Sequence, residues 1–241
     1  MARTPGLKGI RTFVVQVLVA VVGCLGVAWG FSNFARSIAA DEFRNLESHV
    51  LRFETFSPSM TTKLLESPAT GQLSACSNHS QRALLLLEIP LAQKALQSGD
   101  VGAFDRHLQS LDTRSREVLT CVPRDPLAWL VLFGIEILHG RLDQHSFDLL
   151  AASYETSPSE AWIALRRTII AIPVVLSAPT PVREKILAEF EQLVRHGFPE
   201  IPARAYLVAS SQIRALLDSR IGRLEPSQRS AFSEALQRVR I

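Results

Sequence analysis

The stretch Asp125-PLAWLVLFGIEILHGRLDQHSFDLLAASY-Glu155 decides the fold class of this chain. An apolar helix begins after Asp125-Pro126, turns at His139-Gly140, and a second helix returns from about Asp143 to Glu155. Proline is tolerated in a first helical turn and glycine stops a helix, so the punctuation is that of a helical hairpin.

Hairpins of the same kind flank it. Upstream, from about Ser80, a helix runs through Ala83-Leu84-Leu85-Leu86-Leu87 to Gln97, with Pro90 expected to kink it. It turns at Ser98-Gly99-Asp100 and returns through Phe104, Leu108, Leu111, Val118 and Leu119. Downstream, a third pair starts at Ser157-Pro158-Ser159-Glu160, breaks between Pro173 and Pro181, and continues from Val182 to His196. There Val182, Ile186, Phe190, Leu193 and Val194 line one face, and Arg183, Glu184, Glu189, Glu191 and Arg195 are expected to face away. Gly197 is a stop, and Pro199 and Pro202 are read as forbidding continuation. Tyr206, Leu207, Ile213, Leu217 and Ile221 suggest one further helix ending at Gly222, and Pro226 opens another with Phe232, Leu236 and Val239. No run alternates as a strand does, so the class is all-α.

The segment from Trp129 resembles a tetratricopeptide repeat. Trp129 and Leu132 match the early aromatic and leucine, Gly140 falls eleven residues after the tryptophan, and Ala152 matches the late small residue. Phe133, Glu136 and His145 depart from the pattern, and Pro158 comes one position late. The next unit keeps Trp162, 33 residues on, and Leu165, but has Pro173 in place of the turn glycine. The resemblance covers one fair and one degenerate repeat within residues 80 to 197. It implies a short superhelix whose concave face binds a peptide or protein, with Trp129, Trp162 and Arg166 as its groove-side residues. An ordinary bundle with both tryptophans in its core is the alternative.

Cys76 precedes the first hairpin by 23 residues from Gly99 and Cys121 follows by 22. An antiparallel hairpin brings both to its open end, so a Cys76–Cys121 disulfide is expected, with two buried thiols as the alternative. A disulfide would suit an oxidising compartment.

At the other end of the chain, Thr12 to Phe31 contains no charged side chain, and twenty helical residues match a hydrocarbon core about 30 Å thick. Arg3, Lys8 and Arg11 precede this run and no acid appears before Asp41, so the positive-inside rule predicts a cytoplasmic N-terminus. Trp29 and Phe31 suit the far interface. Two processing alternatives stand beside a retained anchor. Val21-Val22-Gly23-Cys24 resembles a permissive lipobox, which implies lipidation at Cys24, and Gly26-Val27-Ala28 has the small-x-small form of a cleavage site.

The expected organisation is a basic cytoplasmic segment 1–11, a transmembrane anchor 12–31, a juxtamembrane helix with its connection 32–75, and an extracytoplasmic helical domain 76–241. In the juxtamembrane part, Ala39, Phe43, Leu46, Val50 and Phe53 recur at spacings of four and three, a two-heptad seam for intramolecular packing or self-association. Pro58 and Ser67-Pro68-Ala69-Thr70-Gly71 are read as breaks.

The net charge of +3 is carried by the three bases ahead of residue 12, leaving 23 bases and 23 acids beyond the span. Such a balance offers no basic surface to phosphates, so nucleic acid is not an expected partner. No metal or cofactor is expected either. His139, Asp143, His145 and Asp148 are residue types that bind zinc, yet they straddle a turn and read as a polar hairpin tip. No catalytic residue is nominated, because no serine lies in a Gly-x-Ser-x-Gly elbow and no phosphate-binding glycine loop is present. Arg166-Arg167 is read as a solvated helix face, with an acidic peptide or glycan as the sharper alternative. The leading functional expectation is an inner-membrane adaptor with a periplasmic or external domain, binding a protein of the envelope. The alternatives are an enzyme acting on envelope glycans and a self-associating structural anchor.

Overall fold

The computed structural model describes residues 13–31, 56–71 and 73–240 of the chain. The seam of Phe43, Leu46, Val50 and Phe53 lies outside these residues. Helix α1, Phe13–Phe31, has a mean hydropathy of 2.2 and all of it is exposed. It is long and apolar enough to cross a membrane, a test that a signal sequence also passes.

The helices α2 (Pro58–Leu65) and α3 (Pro68–Gly71) occupy the stretch read as broken. Proline at the first position of a helix loses no intrahelical bond, and Ser57 caps α2 by accepting from the Met60 amide. Pro58 therefore starts a helix where the sequence reading had it end one. Leu64, Leu65 and Leu73 from this segment pack on Ala83 and Leu84 of α4.

Three antiparallel pairs follow. They are α4 (Asn78–Ser98) with α5 (Val101–Cys121), α6 (Pro126–Leu138) with α7 (Gln144–Thr156), and α8 (Ala161–Ala171) with α9 (Thr180–Arg195). The turns at Gly99, Gly140 and Gly197 have φ of 71°, 72° and 83°, a region where a Cβ would be strained. Pro90 lies within α4 with its ring on the exposed side, and the helix runs on past it. Asp125 caps α6 through the Leu127 and Ala128 amides, and Asp143 caps α7 in a reciprocal box with Ser146.

Helix α6 is apolar on nearly every side because it sits at the centre. It touches α5 and α7 and also the alternate helices α4 and α8. Leu127, Ala128 and Phe133 are wholly buried in it, and Phe133 meets Phe147 of α7 at 5.9 Å. Helices α4, α6 and α8 thus lie side by side in one layer. A 3-10 turn, Ile172–Val174, ends α8, and Arg183 holds the following loop by donating to the carbonyls of Val175, Leu176 and Ala178. Arg183 folds back onto that loop instead of facing away.

The single helix expected across Tyr206 to Ile221 is two, α10 (Glu200–Val208) and α11 (Ser211–Ile221). Ser210 makes the break by capping α11 through the Ile213 amide. Helix α9 ends at Arg195, ahead of Gly197 and Pro199, as the sequence reading expects, and Pro202 lies in the first turn of the new helix α10, where its missing N–H is unneeded. Helix α12 (Pro226–Arg238) closes the fold, with Phe232 edge-on to Phe190 and Tyr206. Among the described residues every regular element is helical.

Candidate functional site

Position 162 places a tryptophan one residue inside the start of α8, half-buried against the core. Its indole N–H donates to the Glu160 carboxylate at 2.6 Å. Two guanidinium groups lie against its ring. Arg82 of α4 is 4.9 Å from the ring centroid and Arg166, one turn along α8, is 5.9 Å from it. Cations over an indole face are drawn to its negative quadrupole, by about 0.5–2 kcal/mol depending on solvation.

Each arginine is also held from behind. Arg82 donates through Nε and Nη2 to Asp125 Oδ2, at 3.3 and 2.9 Å, and that carboxylate is almost wholly buried as the cap of α6. Arg166 donates to the Trp162 carbonyl at 2.7 Å, and burial pushes its guanidinium down to about 10. One connected polar patch therefore ties α4, α6 and α8 together.

Of the residues nominated from sequence, the structure brings Trp162 and Arg166 together. Trp129 of α6 is half-buried too, but its N–H donates to the Pro123 carbonyl at 2.9 Å. Arg82, Asp125 and Glu160 were not nominated. Asp125-Pro126 was visible as a helix start, whereas no local signal marks Arg82, since its partners are 43 and 80 positions away.

Arg167 corrects the reading of Arg166-Arg167 as a solvated pair. It is fully buried and lies 4.4 Å from the Tyr154 ring centroid. It forms an ion pair with Glu189 and donates to the carbonyls of Ser153 and Ser157 at 2.8 and 2.9 Å. Glu189, expected to face away from α9, points inward for this reason. Burial, with the Glu189 charge beside it, pushes the Tyr154 phenol well up, so it stays a donor to Glu189. A second buried carboxylate, Glu88 of α4, accepts from Ser110 at 2.8 Å and lies 3.2 Å from His107 Nδ1.

At the α6–α7 tip, Asp143 is committed to its cap and Gln144 donates to Asp148 at 2.7 Å. Arg141 pairs with Glu136 and lies 2.9 Å from His139 Nδ1, while His145 is exposed. Among the described residues no cluster of three His, Cys, Asp or Glu is placed to hold a metal ion. Cys76 and Cys121 form a disulfide with their Cα atoms 5.1 Å apart, as the hairpin symmetry predicted. Cys24 is a free, exposed thiol on α1.

No protein-family model, curated protein or solved structure matches this chain.

Proposed function

We propose that this chain is a single-span membrane protein whose helical domain lies outside the cytoplasm and acts as an adaptor for another protein of the envelope. The observation that carries the reading is the layer of alternate helices α4, α6 and α8. Arg82, Trp162 and Arg166 meet there in one half-buried cation–aromatic patch. Stacked helical hairpins display alternate helices on one face in this way, and tetratricopeptide-like repeats use that face for peptides. Tryptophan and arginine are the side chains over-represented at binding hot spots.

The anchor reading is supported by the apolar length of α1 and the three bases ahead of it. The Cys76–Cys121 bridge suits an oxidising compartment. Envelope polysaccharide export or biosynthesis is the machinery we favour, on the resemblance of single-span proteins with repeat-like domains.

A photo-crosslinking residue in place of the exposed Ser159, two positions before α8 begins at Ala161, tests this in intact cells. The expected result is a crosslinked envelope protein that Trp162→Ala with Arg166→Glu removes. The same probe at exposed Gln192 of α9 should not give it. Equal products from both positions would refute the assignment of the patch, and an inactive alkaline phosphatase fused at the C-terminus would refute the orientation.

A further inference from the structure

Charge is balanced beyond the apolar span as a whole, but it is unevenly spread. Residues 197–241 hold seven arginines, no lysine and four acids, whereas residues 32–196 hold 16 bases and 19 acids. Among the described residues only Arg220 and Arg238 of those seven form ion pairs. Arg214 donates to the carbonyls of Leu207 and Ala209 at 2.9 and 3.0 Å, and Arg229 to those of Gly222 and Leu224 at 3.4 and 3.2 Å. The guanidinium groups of Arg204, Arg223 and Arg240 are exposed and have no partner among the described residues. The remaining acids are committed elsewhere, since Asp218 accepts from Tyr206 at 3.0 Å and Glu225 caps α12.

At the corner between α10 and α11 these cations surround an apolar side chain. Val208 is 77% exposed, more than any other large apolar residue described outside α1. Arg204 lies one helical turn before it on the same outer face of α10. Arg214 reaches the carbonyl of the preceding Leu207 and lies 5.7 Å from the Tyr206 ring centroid. Burial and the Asp218 hydrogen bond push the Tyr206 phenol up, and the nearby charges of Arg214 and Arg240 act against that rise.

We propose that this corner docks on the anionic headgroups of the bilayer that holds α1, which rests on the reading of α1 as a retained span. The argument is charge complementarity together with Val208. Guanidinium forks match phosphate oxygens. An acidic peptide or glycan would meet the arginines and leave Val208 in water, whereas a headgroup layer over acyl chains takes both. The acidic excess in residues 32–196 is repelled by the same surface and turns the corner toward it.

The test uses the full, oxidised chain with Cys24→Ser as background, reconstituted in nanodiscs that contain nitroxide-labelled lipid. A fluorophore on Val208→Cys should be quenched in discs of equal parts phosphatidylglycerol and phosphatidylcholine, and much less in phosphatidylcholine alone. Each basic residue near an anionic surface is worth roughly fivefold, so Arg204→Gln with Arg240→Gln should lower the ratio of docked to free about 25-fold. The same fluorophore on Val101→Cys, exposed at the α4–α5 turn, should stay bright. A fluorophore on Val27→Cys reports the span itself, and if lipid leaves it unquenched the anchor reading fails and takes this proposal with it. With Val27 quenched, the anchor stands and docking is overturned in any of three cases: Val208 no more quenched than Val101, equal quenching in both lipids, or no loss in the double variant. A Val208 label that ignores lipid but responds to added polyglutamate would assign the corner to an acidic polymer instead.

Discussion

Removing Arg167 alone should be among the most damaging single changes outside the apolar core. The side chain is fully buried, and its partner Glu189 is 8% exposed. Arg167→Leu leaves that carboxylate buried without its cation and withdraws donors from the Ser153 and Ser157 carbonyls. Breaking a buried ion pair from one side costs about 3–5 kcal/mol, because the remaining charge keeps its desolvation penalty. For a domain of this size each kcal/mol is about 2–4 °C in Tm, so a fall of roughly 6–20 °C is expected. The double change Arg167→Leu with Glu189→Leu removes the stranded charge and should restore at least about 2 kcal/mol of that loss. Urea unfolding followed by circular dichroism on purified, oxidised protein in detergent measures all three proteins. A loss below about 1 kcal/mol for Arg167→Leu, or a double variant no better than the single, would show that the pair is not a buried network.

Three further outcomes follow from other contacts. Reducing the Cys76–Cys121 bridge, which closes a separation of 45 residues, should cost about 3–4 kcal/mol in the same unfolding assay. Thiol labelling of the denatured, unreduced chain should modify Cys24 and leave the other two unlabelled. Asp125→Ala removes the cap of α6 and the Arg82 ion pair together and should cost about 2–4 kcal/mol, whereas Asp125→Asn keeps a capping oxygen and should cost less than half as much. Equal losses from the two would refute the cap's share, and no loss from Asp125→Asn would refute the ion pair's. The Arg141 guanidinium holds Glu136 below the usual carboxylate range, and the Ser146 amide and hydroxyl do the same for Asp143. Carboxylates lowered on folding stabilise above their unfolded pKa, and that contribution is lost as pH falls through the lower folded value. Protection factors of amides at the α6–α7 tip, with the intrinsic slowing of exchange in acid divided out, should therefore fall below about pH 4, and Arg141→Gln should move that fall to higher pH.

Much of the architecture was legible in order along the chain. Asp125-Pro126, Gly99, Gly140 and Gly197 are local instructions, because a cap or a left-handed turn depends on its nearest neighbours. The disulfide was legible for a similar reason, since two cysteines equidistant from a hairpin turn meet at its open end. Where local reading failed, a compensating neighbour had been missed. Ser57 lets Pro58 begin a helix, and Ser210 divides α10 from α11.

The sequence by itself determined the apolar span, the all-helical class and the pairing of helices into hairpins, since each depends on composition and spacing within a few turns. The tertiary structure alone decided what adjacent, chemically identical residues do. Arg166 lies half-buried against Trp162, while Arg167 is sealed between Tyr154 and Glu189. Two arginines in succession point about 100° apart on a helix, and only the packing of α7 and α9 on one side, and of α4 on the other, gives those directions different surroundings.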